Sequence, residues 1–147
     1  MDRIDDQILQ ALQKDGRLSN TRLAEQVGLS PSACLRRVQS LENAGVIRGY
    51  RAIVDRSAVG RGITVFVTVG LSEHGRKAAR SFERALESAK AVRECHNVTG
   101  SVEYLLRVEV ADLDEYKSFH DNLLGMLPNV HSINSHICLS SPKDERA

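Results

Sequence analysis

The chain has 147 residues, 41% apolar and 27% charged, the composition of a globular protein with room for one ordinary domain or two small ones. Its longest apolar runs are strand-sized and no charged-then-apolar leader opens it, so neither a membrane span nor a secretory signal is indicated, and the cytoplasm is the expected compartment. Net charge is only +1, but between Ser30 and Arg56 five arginines face two acids, so positive charge concentrates in one short stretch.

In chain order, Ile4, Ile8, Leu9 and Leu12 form a helical stripe that stops at Asp15-Gly16. Asn20 to Val27 places Leu23, Ala24 and Val27 on one side of a second helix and ends at Gly28. Ser30 then caps a third helix whose first position suits Pro31, because the ring presets φ and its missing N–H would be unpaired there anyway. Leu35, Val38, Leu41 and Ala44 predict its buried stripe, and Gly45 its stop. Two short helices meeting at a glycine-bearing turn, after a first helix that shares their core, match a helix-turn-helix. The third helix is about 21 Å long at roughly 1.5 Å per residue, and it can enter a DNA major groove. Val46 to Val54 predicts two extended pieces around Gly49, a wing carrying Arg48 and Arg51. Two other readings stay open at this point: a three-helix bundle with solvated arginines, and a winged helix that docks protein.

Asp55 to Gly62 has two glycines among polar residues and reads as a linker. Ile63 to Leu71 alternates Val65, Val67 and Val69 with Phe66 and Thr68, a strand with one apolar face. Ala79, Phe82, Leu86 and Ala89 predict a helix over 76–90. Val92 to Val98 and Tyr104 to Val110 predict two more strands. Asp112 with Glu115 starts another helix, with Leu113, Tyr116, Phe119, Leu123 and Leu127 as its buried stripe. Val130 to Leu139 is the last strand. The order βαββαβ is the ferredoxin-like arrangement, with helices on one face of the sheet. The other face carries either Val65, Val67 and Val69 or Phe66 and Thr68, and burying it against a second sheet makes dimerisation attractive. The fold class is therefore α+β: a winged helix-turn-helix over 1–54, a linker over 55–62, a ferredoxin-like domain over 63–140, and a flexible tail over 141–147.

Cys34, Cys95 and Cys138 are odd in number and lack CxxC spacing, which argues against a disulfide framework or zinc finger. His131 and His136 are an odd number apart in a strand and point to opposite faces, so no joint metal site is expected. A glycine-rich phosphate cradle and a nucleophile motif are both missing, so the chain does not read as an enzyme, and no cofactor is expected.

The opening IDDQILQALQKDGRLSNTRLAEQVGLSPSACLRRVQSLENAGVIRGYRAIVD resembles the winged helix-turn-helix of the leucine-responsive and asparagine-type (Lrp/AsnC) transcription regulators, and the resemblance continues through VTGSVEYLLRVEV to the last strand. It implies a regulator that binds double-stranded DNA. The expected contacts are Ser30, Ser32, Ala33, Arg36, Arg37 and Ser40 on the third helix, with Arg48 and Arg51 on phosphates. It also implies a second domain that binds a free amino acid and forms homodimers that assemble further, commonly to octamers. The effector loop would be Val98, Thr99, Gly100, Ser101, Val102, Glu103 and Tyr104, with Ser135 on the last strand. Gly100 permits close backbone approach, amides near Ser101 can donate to a carboxylate, and Glu103 can accept from an ammonium. A plain turn between strands is the alternative. Ser101, Val102 and Glu103 stand where the family often has an acid, an aromatic and an aspartate, and Ile133 and Ser135 where it often has threonines.

Overall fold

The computed structural model describes residues 1–144, and the chain divides into a first compact unit, Met1–Ala52, and a second that begins at Ile53. In the first unit, α1 (Arg3–Lys14) starts at a capping box. The Asp2 carboxylate accepts from the amides of Ile4 and Asp5, and the Asp5 carboxylate accepts from the Asp2 amide at 2.9 Å. Helix α2 (Asn20–Val27) ends at Gly28, whose φ of 71° is the left-handed conformation such a stop requires. The Leu29 amide then returns to the Ala24 carbonyl at 2.9 Å. Helix α3 (Pro31–Asn43) follows, with the Ser30 hydroxyl accepting from the Ala33 amide at 3.3 Å. Ile8, Leu23, Ala24, Val27, Cys34 and Leu41 form the buried core.

Two expectations for α3 shift. Its inward stripe runs through Cys34, Val38 and Leu41, while Leu35 is 46% exposed and Ala44 lies open. At 100° per residue, the face that meets α1 and α2 is centred one position earlier than a three-residue count from Leu35 places it. The wing segment, residues 46–54, contains no strand. Its start folds back on α3, with the Val46 and Ile47 amides both donating to the Leu41 carbonyl, and the Tyr50 hydroxyl donates to Glu42 at 2.9 Å. An isolated two-residue-wide ribbon around Gly49 has too little apolar face to hold a ladder.

The second unit is a four-stranded antiparallel sheet of order β2-β3-β1-β4, built from β1 (Ile63–Leu71), β2 (Val92–Asn97), β3 (Tyr104–Val110) and β4 (Val130–Ile137). Val65, Val67 and Val69 lie opposite Val108, Leu106 and Tyr104, and these six side chains are fully or almost fully buried. They pack under α4 (Arg76–Glu87) and α5 (Leu113–Asn122), together with Phe82, Leu86, Tyr116 and Leu124. The covered face of β1 is therefore the valine face, and Phe66 and Thr68 belong to the other one. Helix α5 stops at Asn122, and a 3-10 turn, Leu124–Met126, drives Leu124 fully inside, whereas Leu113 at the helix start is exposed. In α4, Ala78 takes the deep position expected of Ala79.

Residues 55–62 are tied to this sheet. Arg56 and Arg61 reach the carboxylate of Glu109 on β3 at 3.4 and 3.5 Å, and Arg56 also meets Asp144 at 2.9 Å. Asp144 belongs to the expected tail, and residues 145–147 lie outside the described residues.

Candidate functional site

The reading face of the first unit follows from helical spacing. Ser32, Arg36 and Ser40 are four residues apart and all exposed, so they form a row about 12 Å long on the outside of α3. Arg36 has no ion-pair or hydrogen-bond partner among the described residues, which leaves its fork of donors available. Ser30 spends its hydroxyl on the helix cap and lies 3.3 Å from that of Ser32. Ala33 is half-buried beside them, and Arg48 and Arg51 are exposed beyond the helix. The Asn20 side-chain amide donates to the Pro31 carbonyl at 2.7 Å, clamping the start of α2 to the start of α3.

Arg37 is placed differently from expectation. One terminal nitrogen of its guanidinium, Nη1, meets both Asp2 and Asp5 of α1 at 2.8 Å, so the residue locks α3 to α1. These contacts raise the Arg37 pKa further, while backbone amides first and Arg37 second hold both aspartates below the usual carboxylate range. The sequence offers both arginines to solvent. Only the packing of α1 across α3 separates their roles.

In the second unit, the loop between β2 and β3 is closed by the Val98 amide on the Glu103 carbonyl at 2.8 Å and by the Asn97 side chain on the same carbonyl. At its tip Gly100 has φ 121°, and an added Cβ would meet open space. Thr99 and Ser101 are exposed there, with Val102 half-buried. Glu103 does not stand free. One carboxylate oxygen accepts the Leu71 amide at 2.7 Å and the other lies 3.2 Å from His74 Nδ1. A carboxylate has about four lone-pair positions, so it retains acceptor capacity. Tyr104 is buried against Phe82 at 4.6 Å, and its hydroxyl donates to Glu83 at 2.6 Å. Burial first, then Glu83, pushes that phenol well above its ordinary value. Its ring is therefore a wall, and its hydroxyl is committed.

Ser135 sits mid-strand opposite Val67, one strand beyond β1 from β3, and its hydroxyl pairs with that of Tyr116. The hydroxyl brought toward Glu103 is instead that of Ser132, opposite Gly70. A side chain at Gly70 would strike it at 2.5 Å and approach Glu103 at 3.7 Å. A cavity of about 340 Å³ opens beside the loop, where Glu73, His74, Arg76, Asn97 and Glu103 supply charge and hydrogen bonds while Leu71, Ala79 and Tyr104 supply apolar wall. His74, Arg76 and Ser132 carry no sequence signal of their own. The turn after β1 brings His74 and Arg76 to the cavity, and the β1–β4 register, which shifts between Gly70 and Leu71, sets Ser132 beside Gly70.

A DNA-reading helix pair on one unit and a small-molecule-sized cavity on the other define the class, a transcription regulator with a ligand-binding domain. Comparison with known proteins gives the family. A model described as winged helix-turn-helix DNA-binding matches residues 1–48, and one described as Lrp/AsnC ligand binding domain matches residues 64–147. The chain is 37% identical over 143 residues to the leucine-responsive regulatory proteins of Escherichia coli and Salmonella typhimurium, covering 97% of this chain and 87% of theirs. It is similar to the crystal structure of a Neisseria meningitidis transcriptional regulator in complex with L-Met, with TM-score 0.93 and 34% identity over 98% of this chain and 93% of that one. Escherichia coli AsnC matches with TM-score 0.88 and 28% identity, over 98% and 95% of the two chains. The chain belongs to the Lrp/AsnC family and is a DNA-binding transcriptional regulator of that type. Among the described residues no helix is long and apolar enough to cross a membrane.

Proposed function

We propose that this regulator senses a free amino acid with its second unit and transmits occupancy to DNA binding through subunit association. The observation that carries the reading is the cavity beside the loop over residues 98–104. It offers the Arg76 guanidinium to a carboxylate, Glu103 and Glu73 to an ammonium, and an apolar wall of Leu71, Ala79 and Tyr104 to a side chain. The L-Met held by the Neisseria meningitidis relative supports an apolar effector. A second carboxylate would meet Glu73 and Glu103, so leucine- or methionine-like ligands rank ahead of acidic ones. Calorimetry with all twenty amino acids tests this. Heat from apolar ones, abolished by Arg76→Ala, is expected, and no heat from any of them overturns the sensor reading.

Ser32, Arg36 and Ser40 meet the major groove in this proposal, with Arg48 and Arg51 on phosphates and Ser30 and Ala33 shaping the helix start. Homodimers in the cytoplasm bury the open sheet face that carries Phe66 and Thr68, and assemble further to octamers. One module with a single unpaired recognition arginine binds weakly and depends on salt, so several copies together give useful affinity. A ligand that favours one assembly with a coupling of about 1–3 kcal/mol shifts DNA affinity about 5- to 150-fold. Light scattering of residues 53–147 expressed alone should give a dimer or larger. A monomer would refute the division of labour.

A further inference from the structure

The outward face of α4 carries Arg76, Arg80 and Arg84 four residues apart, with Lys77 beside them, all exposed. At about 1.5 Å per residue the three arginines form a row about 12 Å long. None of the four cations has an ion-pair or hydrogen-bond partner among the described residues. The row stands against the helix's own electrostatics. Like charges at i,i+4 repel, and Arg76 and Lys77 occupy a first turn whose unpaired amides favour acids, with no side-chain cap at Gly75. The helix's two acids follow Arg80 and Arg84 at i,i+3, yet neither Glu83 nor Glu87 forms an ion pair with the row among the described residues, and Glu83 instead accepts the Tyr104 hydroxyl. Such a row costs a little local stability and presents concentrated positive charge to solvent.

We propose that this face of α4 is a second DNA-contacting surface, which grips backbone phosphates without reading bases. Charge complementarity selects the occupant. One strand of duplex presents a phosphate about every 3.4 Å of axis, so a 12 Å row runs beside three or four of them. The α5 helix of a second copy matches less well, because Asp112 and Glu115 are spent on its cap and Asp121 is paired with Lys117, which leaves Asp114 alone without a partner among the described residues. Ser81 and Ala85 line a groove between the arginines. The inference rests on DNA binding by the family, and it adds a contact outside the helix-turn-helix.

The full chain, its R80A/R84A variant and its R80K/R84K variant test it; Arg76 is left in place because it lines the cavity beside Glu103. Affinity is measured across salt on two duplexes that share one site, one of about 21 bp, two helical turns, and one of about 150 bp, a persistence length. On the short duplex the three proteins should bind alike. On the long one R80A/R84A should bind more weakly, with the slope of log affinity on log salt smaller by about 0.9 for each phosphate no longer neutralised, and R80K/R84K should keep the wild-type slope. Equal slopes for R80A/R84A and wild type on the long duplex overturn the proposal. So does a fall in the DNA-free mass of R80A/R84A by light scattering, which assigns the row to contact between copies.

Discussion

Replacing Glu109 with Gln should loosen residues 53–62 from the sheet and destabilise the second unit. The Glu109 side chain is 5% exposed, and four arginines reach it: Arg107 at 3.2 Å, Arg56 at 3.4 Å, Arg61 at 3.5 Å and Arg93 at 3.8 Å. Each contact is worth about 4–5 kcal/mol gross at an effective dielectric of about 20, but the arginines repel one another and every charge has given up water. Removing one partner of a buried pair costs about 3–5 kcal/mol. Here the distances exceed the charge-assisted optimum of about 2.7–2.9 Å, and Asp144 still serves Arg56 and Arg107, so about 3 kcal/mol is expected. For a unit of this size that lowers Tm by about 12–24 °C. Urea unfolding followed by circular dichroism reads the stability. Amide exchange should quicken at Ser57, held by Asp55 at 2.9 Å, and at Arg61, held by the Arg56 carbonyl at 2.7 Å. A loss below about 0.5 kcal/mol, the range of ordinary surface changes, would refute the reasoning. A double-mutant cycle with Arg107→Ala should show a coupling of about 0.5–3 kcal/mol.

Arg36→Ala should weaken the best DNA site by about 1–3 kcal/mol and relax its sequence preference, whereas Arg37→Ala should lower the melting temperature of the first unit and leave the preference intact; titration of both variants on matched and scrambled duplexes separates them. The carboxyls of Asp2 and Asp5 sit below their ordinary 3.8 in the folded chain, so their contribution is complete above that value and is lost as pH falls through the lowered folded values. Acid titration of the first unit's stability should therefore flatten in Asp2→Asn/Asp5→Asn, and an unchanged profile would count against the Arg37 lock. Burial raises the thiols of both Cys34 and Cys95, so access sets the order: native-state alkylation should modify exposed Cys95 before buried Cys34 and reach Cys34 only as the unit opens. Mass mapping at timed quenches gives the order.

Much of this chain is legible in sequence because its signals are local. Ser30-Pro31 and Gly28 mark their helix ends through hydrogen bonds that span three to five residues, and the alternation of Ile63 to Leu71 declares a half-buried strand. The ordered pair of motifs is enough to place the chain in its family. What the sequence leaves open are choices between equivalent neighbours: valine face or Phe66 face, Arg36 or Arg37, Leu35 or Cys34. Each is decided by a partner far along the chain. Arg37 is engaged 35 and 32 positions away by Asp2 and Asp5, Glu103 is met by the Leu71 amide 32 positions away, and Arg56 by Asp144 88 positions away. Ser135 keeps the expected hydroxyl, yet the β1–β4 register turns it to Tyr116 and brings Ser132 beside Gly70. Periodicity specifies which residues share a face. Only the packing of one element on another specifies what that face meets, because charge pairing and desolvation act through space and leave no spacing in the sequence.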